Sequence, residues 1–424
     1  MEGITLQEHF ATLEDPRVER TKRHQLLAII TIALCAVICG ADTWVDVEEF
    51  GHAKGAWLET FLDLANGIPS HDTFGRVFAR LDPEQFQACF LSWVQAINTA
   101  LPAQQIAIDG KTARRSHDRG IGKAAIQMVS AWASETHLVL AQRHVKEHSN
   151  EQTALPLLLE QLELAGCIVS IDAMGCLPKI ATQIKEQDGE YVLALKANQG
   201  TMYQDVVDLF DDALTTGFAE LVHDTHHRVD KGHGRLEDRQ YWTISDPACI
   251  AYLNAKQTWT GLRSIGMVEA KRSVGEQVST ERRYYLTSLP GEARAFGAAV
   301  RSHWGVENGL HWVLDIAFQE DVSRMRNDHS QQNFVVLRHM ALNLLKQEPT
   351  ATCGIKARRL KAGWSEDYLR RVLAASKCRC DCPGVPPRIH IVIKAELAYT
   401  YQYNNGKFSL QGRISQSRCP WLPQ

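Results

Sequence analysis

Twice this chain writes a short apolar run that ends in an aspartate and passes into small residues. The first is Ile106-Ala107-Ile108-Asp109-Gly110-Lys111, with a basic stretch through Arg114 and Arg115 behind it. The second is Ile168-Val169-Ser170-Ile171-Asp172, followed by Ala173, Met174 and Gly175. Alone, an Asp-Gly pair reads as a turn in which glycine frees the backbone. A carboxylate at the end of a strand can also hold a hard cation. The repetition favours the cation if the fold brings the two strand ends together.

The surrounding pattern predicts that it does. Strand-like runs fall at 105–109, 127–133, 137–145, 168–172 and 191–196, with helical periodicity at 151–164 and 178–187. Three strands, a helix, a strand, a helix and a strand make a meander followed by right-handed crossovers in a mixed sheet. That order resembles the ribonuclease H-like fold, an α/β class. There Asp109 would end the first strand and Asp172 the fourth, as neighbours, although 63 positions (172 − 109) separate them.

Two carboxylates invite a third. Phosphoryl transfer on nucleic acid needs charge neutralised between an attacking and a leaving oxygen. Two Mg²⁺ ions about 4 Å apart supply this when carboxylates hold them. Helical spacing over 291–303 is interrupted at Trp304-Gly305 and resumes from Val306 to Phe318, with Glu307, His311 and Asp315 on one face. Glu307 is the chosen third acid, and Asp315, Glu320 and Asp321 are its competitors. His303, Glu307 and His311 also repeat at helical spacing, a zinc-like pattern, but no cysteine or further histidine follows at ligand spacing.

Composition narrows the rest. At 424 residues, 45% hydrophobic, 22% charged and net charge −3, the chain reads as an ordinary soluble multidomain protein. Any nucleic-acid contact must then rest on local basic patches. Eleven cysteines without a framework spacing imply free thiols and a cytoplasmic, nucleoid-associated protein. The apolar run Leu26–Ala41 is short and closely flanked by polar residues, so it reads as a buried helix and no membrane partner is expected.

Residues 1–100 read as a helical domain, with further helices at 42–50, 55–64, 71–80 and 83–98, and Ser70 capping the third of these. Its cluster Arg17, Arg20, Lys22, Arg23 and His24 leans toward phosphate contact, while a bundle packed on the next domain fits the pattern as well. Residues 101–216 form the first part of the core, closing with a helix over 200–216. Residues 217–281 form a β-rich insertion, in which Arg235 and Arg239 face either phosphates or salt-bridge partners. Residues 282–350 return to the core with a last strand and the acid-bearing helix. Residues 351–376 form a basic segment: between 356 and 379, eight Lys/Arg meet two acids, a charge of +6 that suits a DNA-tracking arm or a solvated helix. The tail, 377–424, has no recognisable counterpart, and its alternate Cys378, Cys380 and Cys382 lack the spacing of a zinc knuckle.

Over residues 4–376 the chain resembles insertion-sequence transposases of the DDE type, in the branch that includes the H-repeat-associated proteins. The matching text includes Asp15-Pro16-Arg17, Gly67 to Phe74, Ile108 to Lys111, Val129 to Trp132 and Ser149-Asn150-Glu151. It continues with Asp172 to Cys176, Leu193 to Gln199, His303 to Asn308 and Leu310-His311-Trp312. The resemblance implies metal-dependent DNA cleavage and strand joining at element ends, with Asp109, Asp172 and Glu307 as catalytic and metal-binding residues. Mg²⁺, in two ions, is the implied cofactor, and Mn²⁺ a substitute. It implies DNA partners (terminal inverted repeats and target DNA), a homodimer on DNA and no small-molecule substrate. DNA contacts are assigned to Lys111, Arg114, Arg115, Lys196, Asn198, Arg235, Arg239, Arg301, Trp304, Asn308 and His311. Departures exist: His303 and Leu314 stand where a wider Tyr-Arg-Glu-Lys signature has Arg and Lys, and Leu177 replaces a common Gln. A nuclease of the same fold that cuts without joining, and an inactive DNA-binding relic, are the competing readings.

Overall fold

A computed structural model describes residues 6–98, 104–113, 125–145, 151–232, 235–274 and 277–375, with the backbone of a short hairpin, β10 (Gln402–Asn404) and β11 (Lys407–Ser409), in the tail. Helices come first: α1 (Leu6–Phe10), α2 (Leu26–Ile38), α3 (Trp44–Ala53), α4 (Gly55–Leu58), α5 (His71–Arg80) and α6 (Pro83–Asn98). The sheet-forming part holds β1 (Gln105–Ala113), β2 (Ile126–Ala133), β3 (Leu138–His144), α7 (Glu151–Leu159), β4 (Ile168–Ile171), α8 (Pro178–Glu186), β5 (Glu190–Leu195) and α9 (Thr201–Thr216). Then follow β6 (His223–Gly232), β7 (Arg235–Ile244), α10 (Pro247–Leu253), β8 (Ser264–Val274) and β9 (Gln277–Thr287). The chain closes with α11 (Ala293–Val306), α12 (Trp312–Ala317), α13 (Ser330–Gln347), α14 (Ile355–Trp364) and α15 (Glu366–Ala374).

All nine strands from β1 to β9 share one sheet, in the order β3-β2-β1-β4-β5-β9-β8-β7-β6. β1 pairs antiparallel with β2 and parallel with β4, which pairs parallel with β5. The core is therefore the RNase H-like α/β arrangement that the element order predicts. The inserted strands do not form a separate body, because β9 pairs with β5 and the β9-β8-β7-β6 meander extends the same sheet. A boundary at 281 falls inside β9, which runs unbroken to Thr287.

One strand differs from its expected end. β1 does not stop at Asp109: Asp109 pairs with Ser130, Gly110 with Val129, and pairing with β2 continues to Ala113. What ends there is the parallel pairing, whose last partners are Ile108 and Ile171. Asp109 and Asp172 thus leave adjacent strands at the same level, and Asp-Gly is extended backbone, not a turn.

The helical end of the molecule is built on α2, whose residues from Ala28 to Ile38 are all buried. It packs on α13, buried over most of its length. Among the described residues no helix is long and apolar enough to cross a membrane. Trp44 joins the layers, with its ring 4.7 Å from Phe78 and 4.9 Å from Phe334. Asn343 of α13 covers the free edge of β3: Val139 N donates to its Oδ1 at 2.8 Å and its Nδ2 donates to Val139 O at 3.0 Å. An open strand edge is thereby closed by one side chain.

Three local expectations are corrected. Ser70 occupies the N-cap of α5, but its hydroxyl meets Thr73; the His71 amide is taken instead by Glu48 Oε2 at 2.9 Å. The helix expected over 55–64 ends at Leu58, where Thr60 Oγ1 donates to Trp57 O and Asp63 takes the Ala65 amide, side-chain bonds that compete with the helical ladder. Trp304-Gly305 does not interrupt α11; the irregular turn is a π-helical one at Glu307–His311.

Much of the basic text is spent on structure. Arg17 pairs with Asp15 at 2.7 Å and donates to His24 O. Arg358 donates to Leu345 O and Glu348 O at the end of α13. Arg359 is buried and donates to Val37 O, Ala41 O and Asp42 Oδ1 at the end of α2. Cations at helix C-termini satisfy carbonyls that the helix cannot.

Candidate active site

Alternation along β1 puts Asp109 and Lys111 on the same face, and α11 with the π turn crosses that face. His311 Nδ1 lies 3.5 Å from Asp109 Oδ2 and 3.7 Å from Glu307 Oε2. One ligand atom from each of Asp109, Glu307 and His311 falls within 4.8 Å of the others. Asp172 opens onto the same cleft of about 250 Å³, with Lys196, Arg283, His303 and Trp304 along its wall. The π turn is a rare geometry that often marks functional sites. Gly309 lets it settle on the sheet, since a Cβ there would stand 2.9 Å from the Trp132 ring.

The electrostatics are those of an under-neutralised acid cluster. Burial pushes the Asp109 carboxyl up to about 7, against the Gly110 amide that donates to Oδ1 at 2.9 Å, while the charges of Glu307, Asp172 and Glu151 add to the rise. Burial, then the charges of Lys111 and His303, push His311 down to about 4. The imidazole beside Asp109 is therefore neutral, a lone-pair donor and not an ion-pair partner. Its Nε2 is buried without a partner. Two carboxylates and a neutral imidazole at this separation fit a divalent cation, oxygen donors favouring a hard ion.

The predicted site residues divide. Asp109, Asp172 and Glu307 come together. His311, expected at the DNA surface, is instead buried between two of the acids. Lys111 is corrected too: its Nζ sits 2.6 Å from Asp315, 3.3 Å from Glu320 and 3.3 Å from Asp321, so it is caged by carboxylates and not free for phosphate. Burial pulls the Lys111 pKa down, but the three acids outweigh it and raise it. Asp315 and Asp321, rivals to Glu307, are occupied there, and Glu320 faces buried Arg338 as well.

Arg239 is likewise engaged, by Asp230 at 2.8 Å and by Glu237. Asn198 donates to Ala173 O at 3.1 Å, tying its loop to the one after Asp172. Lys196 and Arg301 are exposed. Asn308 donates to Trp304 O, and Trp304 lies under Arg283, 4.5 Å from its ring centre. Arg114, Arg115 and the Arg235 side chain lie outside the described residues. His303, from the zinc-like pattern, meets Ser170 Oγ at 3.1 Å on the cleft wall and is not in the Asp109 group.

Two features were not anticipated. The cleft continues over the inserted strands as a groove of about 380 Å³ lined by Lys271, Arg272, Arg283 and Arg301. Glu151, at the start of α7, lays its carboxylate against Gly110, where an added Cβ would stand 2.1 Å from Oε1, and Gln127 Nε2 donates to that oxygen at 2.5 Å. Burial, then the charge of Asp172, raises the Glu151 pKa against the Gln127 hydrogen bond. The only sequence signal was its place in Ser149-Asn150-Glu151. A wider groove of about 1040 Å³ between α5, α6, β2, β3, α7 and α13 is not lined by Asp109, Asp172 or Glu307 and meets the cluster only through Gln127.

Comparison with known proteins shows the family. Residues 100–344 match the model of the transposase DDE domain, and residues 7–94 match that described as DDE_Tnp_1-associated. The chain is 36% identical over 374 residues to "Putative transposase YncI" of Escherichia coli O157:H7, covering 88% of this chain and 95% of that protein. It is 35% identical over 383 residues to "H repeat-associated putative transposase YhhI" of Escherichia coli K12, covering 89% and 99%. Among solved structures, a piggyBac transposase synaptic complex with hairpin DNA matches at TM-score 0.38 and 9% identity, over 89% of this chain and 78% of that one. With the domain model spanning more than half of its length and these relatives aligned almost end to end, the chain belongs to the DDE transposase family.

Proposed function

We propose that this transposase cuts DNA at the ends of an insertion element and joins the freed 3′-hydroxyl to target DNA, using two Mg²⁺ ions, with Mn²⁺ as a substitute. The observation that carries the proposal is the convergence of Asp109 and Asp172, leaving adjacent strands at one level, with Glu307 on the crossing helix. When bound, the ions neutralise the phosphoryl group during in-line displacement by water and then by the 3′-hydroxyl. Asp109, Asp172 and Glu307 would hold the ions, which would supply charge neutralisation at the scissile phosphate. His311 supplies a neutral nitrogen and orients Asp109. Lys196 and Arg301 hold phosphates along the cleft, while Trp304 and Asn308 receive the DNA end. Arg114, Arg115 and Arg235 keep the DNA-contact role on sequence grounds. Two element ends must be handled together, so the working form is a dimer on DNA.

The test is Mg²⁺-dependent cleavage of element-end DNA, followed by strand transfer into a plasmid. Asp109→Asn, Asp172→Asn and Glu307→Gln should each abolish cleavage. Normal cutting by Glu307→Gln would remove it from the triad, and cutting without joining would favour a nuclease.

A further inference from the structure

We propose that Glu151 is a fourth carboxylate of the metal-holding site, kept in place by Gln127 and admitted by Gly110. This rests on the transposase reading above and extends it to a residue outside the Asp-Asp-Glu set.

Three observations carry it. The first is room: Gly110 directly follows Asp109, and a side chain there would put its Cβ 2.1 Å from Glu151 Oε1 and 3.1 Å from Oε2. Gly110 has no turn to make, because it lies in extended β1 paired with Val129. The absence of a side chain therefore serves the approach of this carboxylate. The second is aim: Gln127, on the neighbouring strand, donates to Oε1 at 2.5 Å and fixes the side chain over β1.

The third is charge. Glu151, half-buried, is within electrostatic reach of Asp109 and Asp172. Lys111, two residues beyond Asp109 on β1, is consumed by Asp315, Glu320 and Asp321. Packing a further carboxylate beside these acids is unfavourable unless a cation stands between them. An acid in the first turn of a helix is ordinarily a solvated one that steadies the helix dipole, and that role would not require this burial. His311, nine-tenths buried, brings its Nδ1 to 3.5 Å from Asp109 Oδ2 and 3.7 Å from Glu307 Oε2, a nitrogen among carboxylates that independently marks the cluster as a ligand site.

The experiment is a Mn²⁺ titration of the full chain, free Mn²⁺ being read by electron paramagnetic resonance, with thermal melts alongside. Glu151→Gln keeps the shape and the Gln127 contact, and should weaken one Mn²⁺ site at least about tenfold. Gly110→Ala should weaken the same site by crowding the carboxylate out. Glu151→Asp, which withdraws the carboxylate from Gly110, serves if Glu151→Gln does not fold. Mn²⁺ binding by a folded Glu151 variant within about twofold of wild type overturns the inference. If Asp109→Asn and Asp172→Asn lose Mn²⁺ in that same titration, the transposase reading survives that result. If neither aspartate variant changes Mn²⁺ binding and wild type fails to cut DNA, the underlying reading has failed instead.

Discussion

Arg359 separates two roles that a basic C-terminal segment can play. Its side chain keeps 3% of its surface exposed and donates to Val37 O at 3.0 Å, Ala41 O at 3.1 Å, Asp42 Oδ1 at 2.9 Å and Ala317 O. Its guanidinium also lies 4.3 Å from the centre of the Phe318 ring. Arg359→Met retains most of the volume and the contact with Phe318, but it strands Asp42 and the carbonyls ending α2. Breaking a buried pair on one side costs about 3–5 kcal/mol. Burial already raises the Asp42 pKa against the charge of Arg359. Asp42 can therefore take up a proton once the cation is gone, which moves the expected loss toward about 3 kcal/mol. Urea unfolding followed by tryptophan fluorescence should show this loss, while exposed Lys356→Ala on the same helix should stay within about 0.5 kcal/mol of wild type. DNA binding by anisotropy, at several salt concentrations, gives the second reading. A phosphate contact contributes about one unit to the slope of log K against log salt, and Arg359→Met should leave that slope unchanged. An unchanged stability, or a slope reduced by about one, refutes the reasoning.

Other expectations follow from the same packing. Asn343→Leu strands both Val139 backbone groups at the β3 edge, so urea unfolding should show a loss of about 2–4 kcal/mol and Val139 N–H should exchange faster. Lys111→Met takes from Asp315, Glu320 and Asp321 the cation they share, with Arg338 still facing Glu320, and should destabilise by about 3 kcal/mol. Asp315→Asn should also loosen this cage, yet leave Mn²⁺ affinity at the wild-type value in the folded protein; lost affinity would return Asp315 to the metal site. Burial, then the charges of His311, Arg338 and Lys111, lower the His339 pKa to about 3. The unfolded chain then takes the proton first, so this contribution is full above the ordinary histidine pKa and is lost as pH falls from there toward 3. Between neutrality and about pH 5.5 wild type should lose about 1 kcal/mol that His339→Leu does not, measured as the difference in urea-derived stability across that range.

What the sequence made legible was what local pattern encodes. The apolar runs ending at Asp109 and Asp172 predicted neighbouring strands, because strand order follows from element order and few topologies satisfy it. Buried α2 was visible as an apolar run too short for a membrane. Lys111 was misread because its acids lie about two hundred positions away, and sequence distance hides a cage. Gly110 was misread for a related reason: its missing side chain answers to Glu151 on another element, not to a local turn. Glu151 itself sits where an acid is ordinary at a helix start, so nothing nearby distinguished it. Arg358 and Arg359 read as a charge run, and only the folded ends of α13 and α2 show the carbonyls they serve.

The pairing of β5 with β9 has a consequence for anyone shortening this protein. Because the inserted strands extend the catalytic sheet, excising residues 217–281 as a module would leave the root of β9, Tyr284 to Thr287, paired with β5 but stripped of β8 on its other side. A central strand would become an open edge, ready to recruit another chain. It would also take Glu281, the ion-pair partner of Arg283, from the wall beside the carboxylates. The region that tolerates trimming is the far end of the meander, near Gly232 and Val274, where β6 and β8 finish. The insertion is thus a buttress whose outer end can vary while its root stays fixed, and length changes among functional variants of this scaffold should accumulate at those hairpin ends.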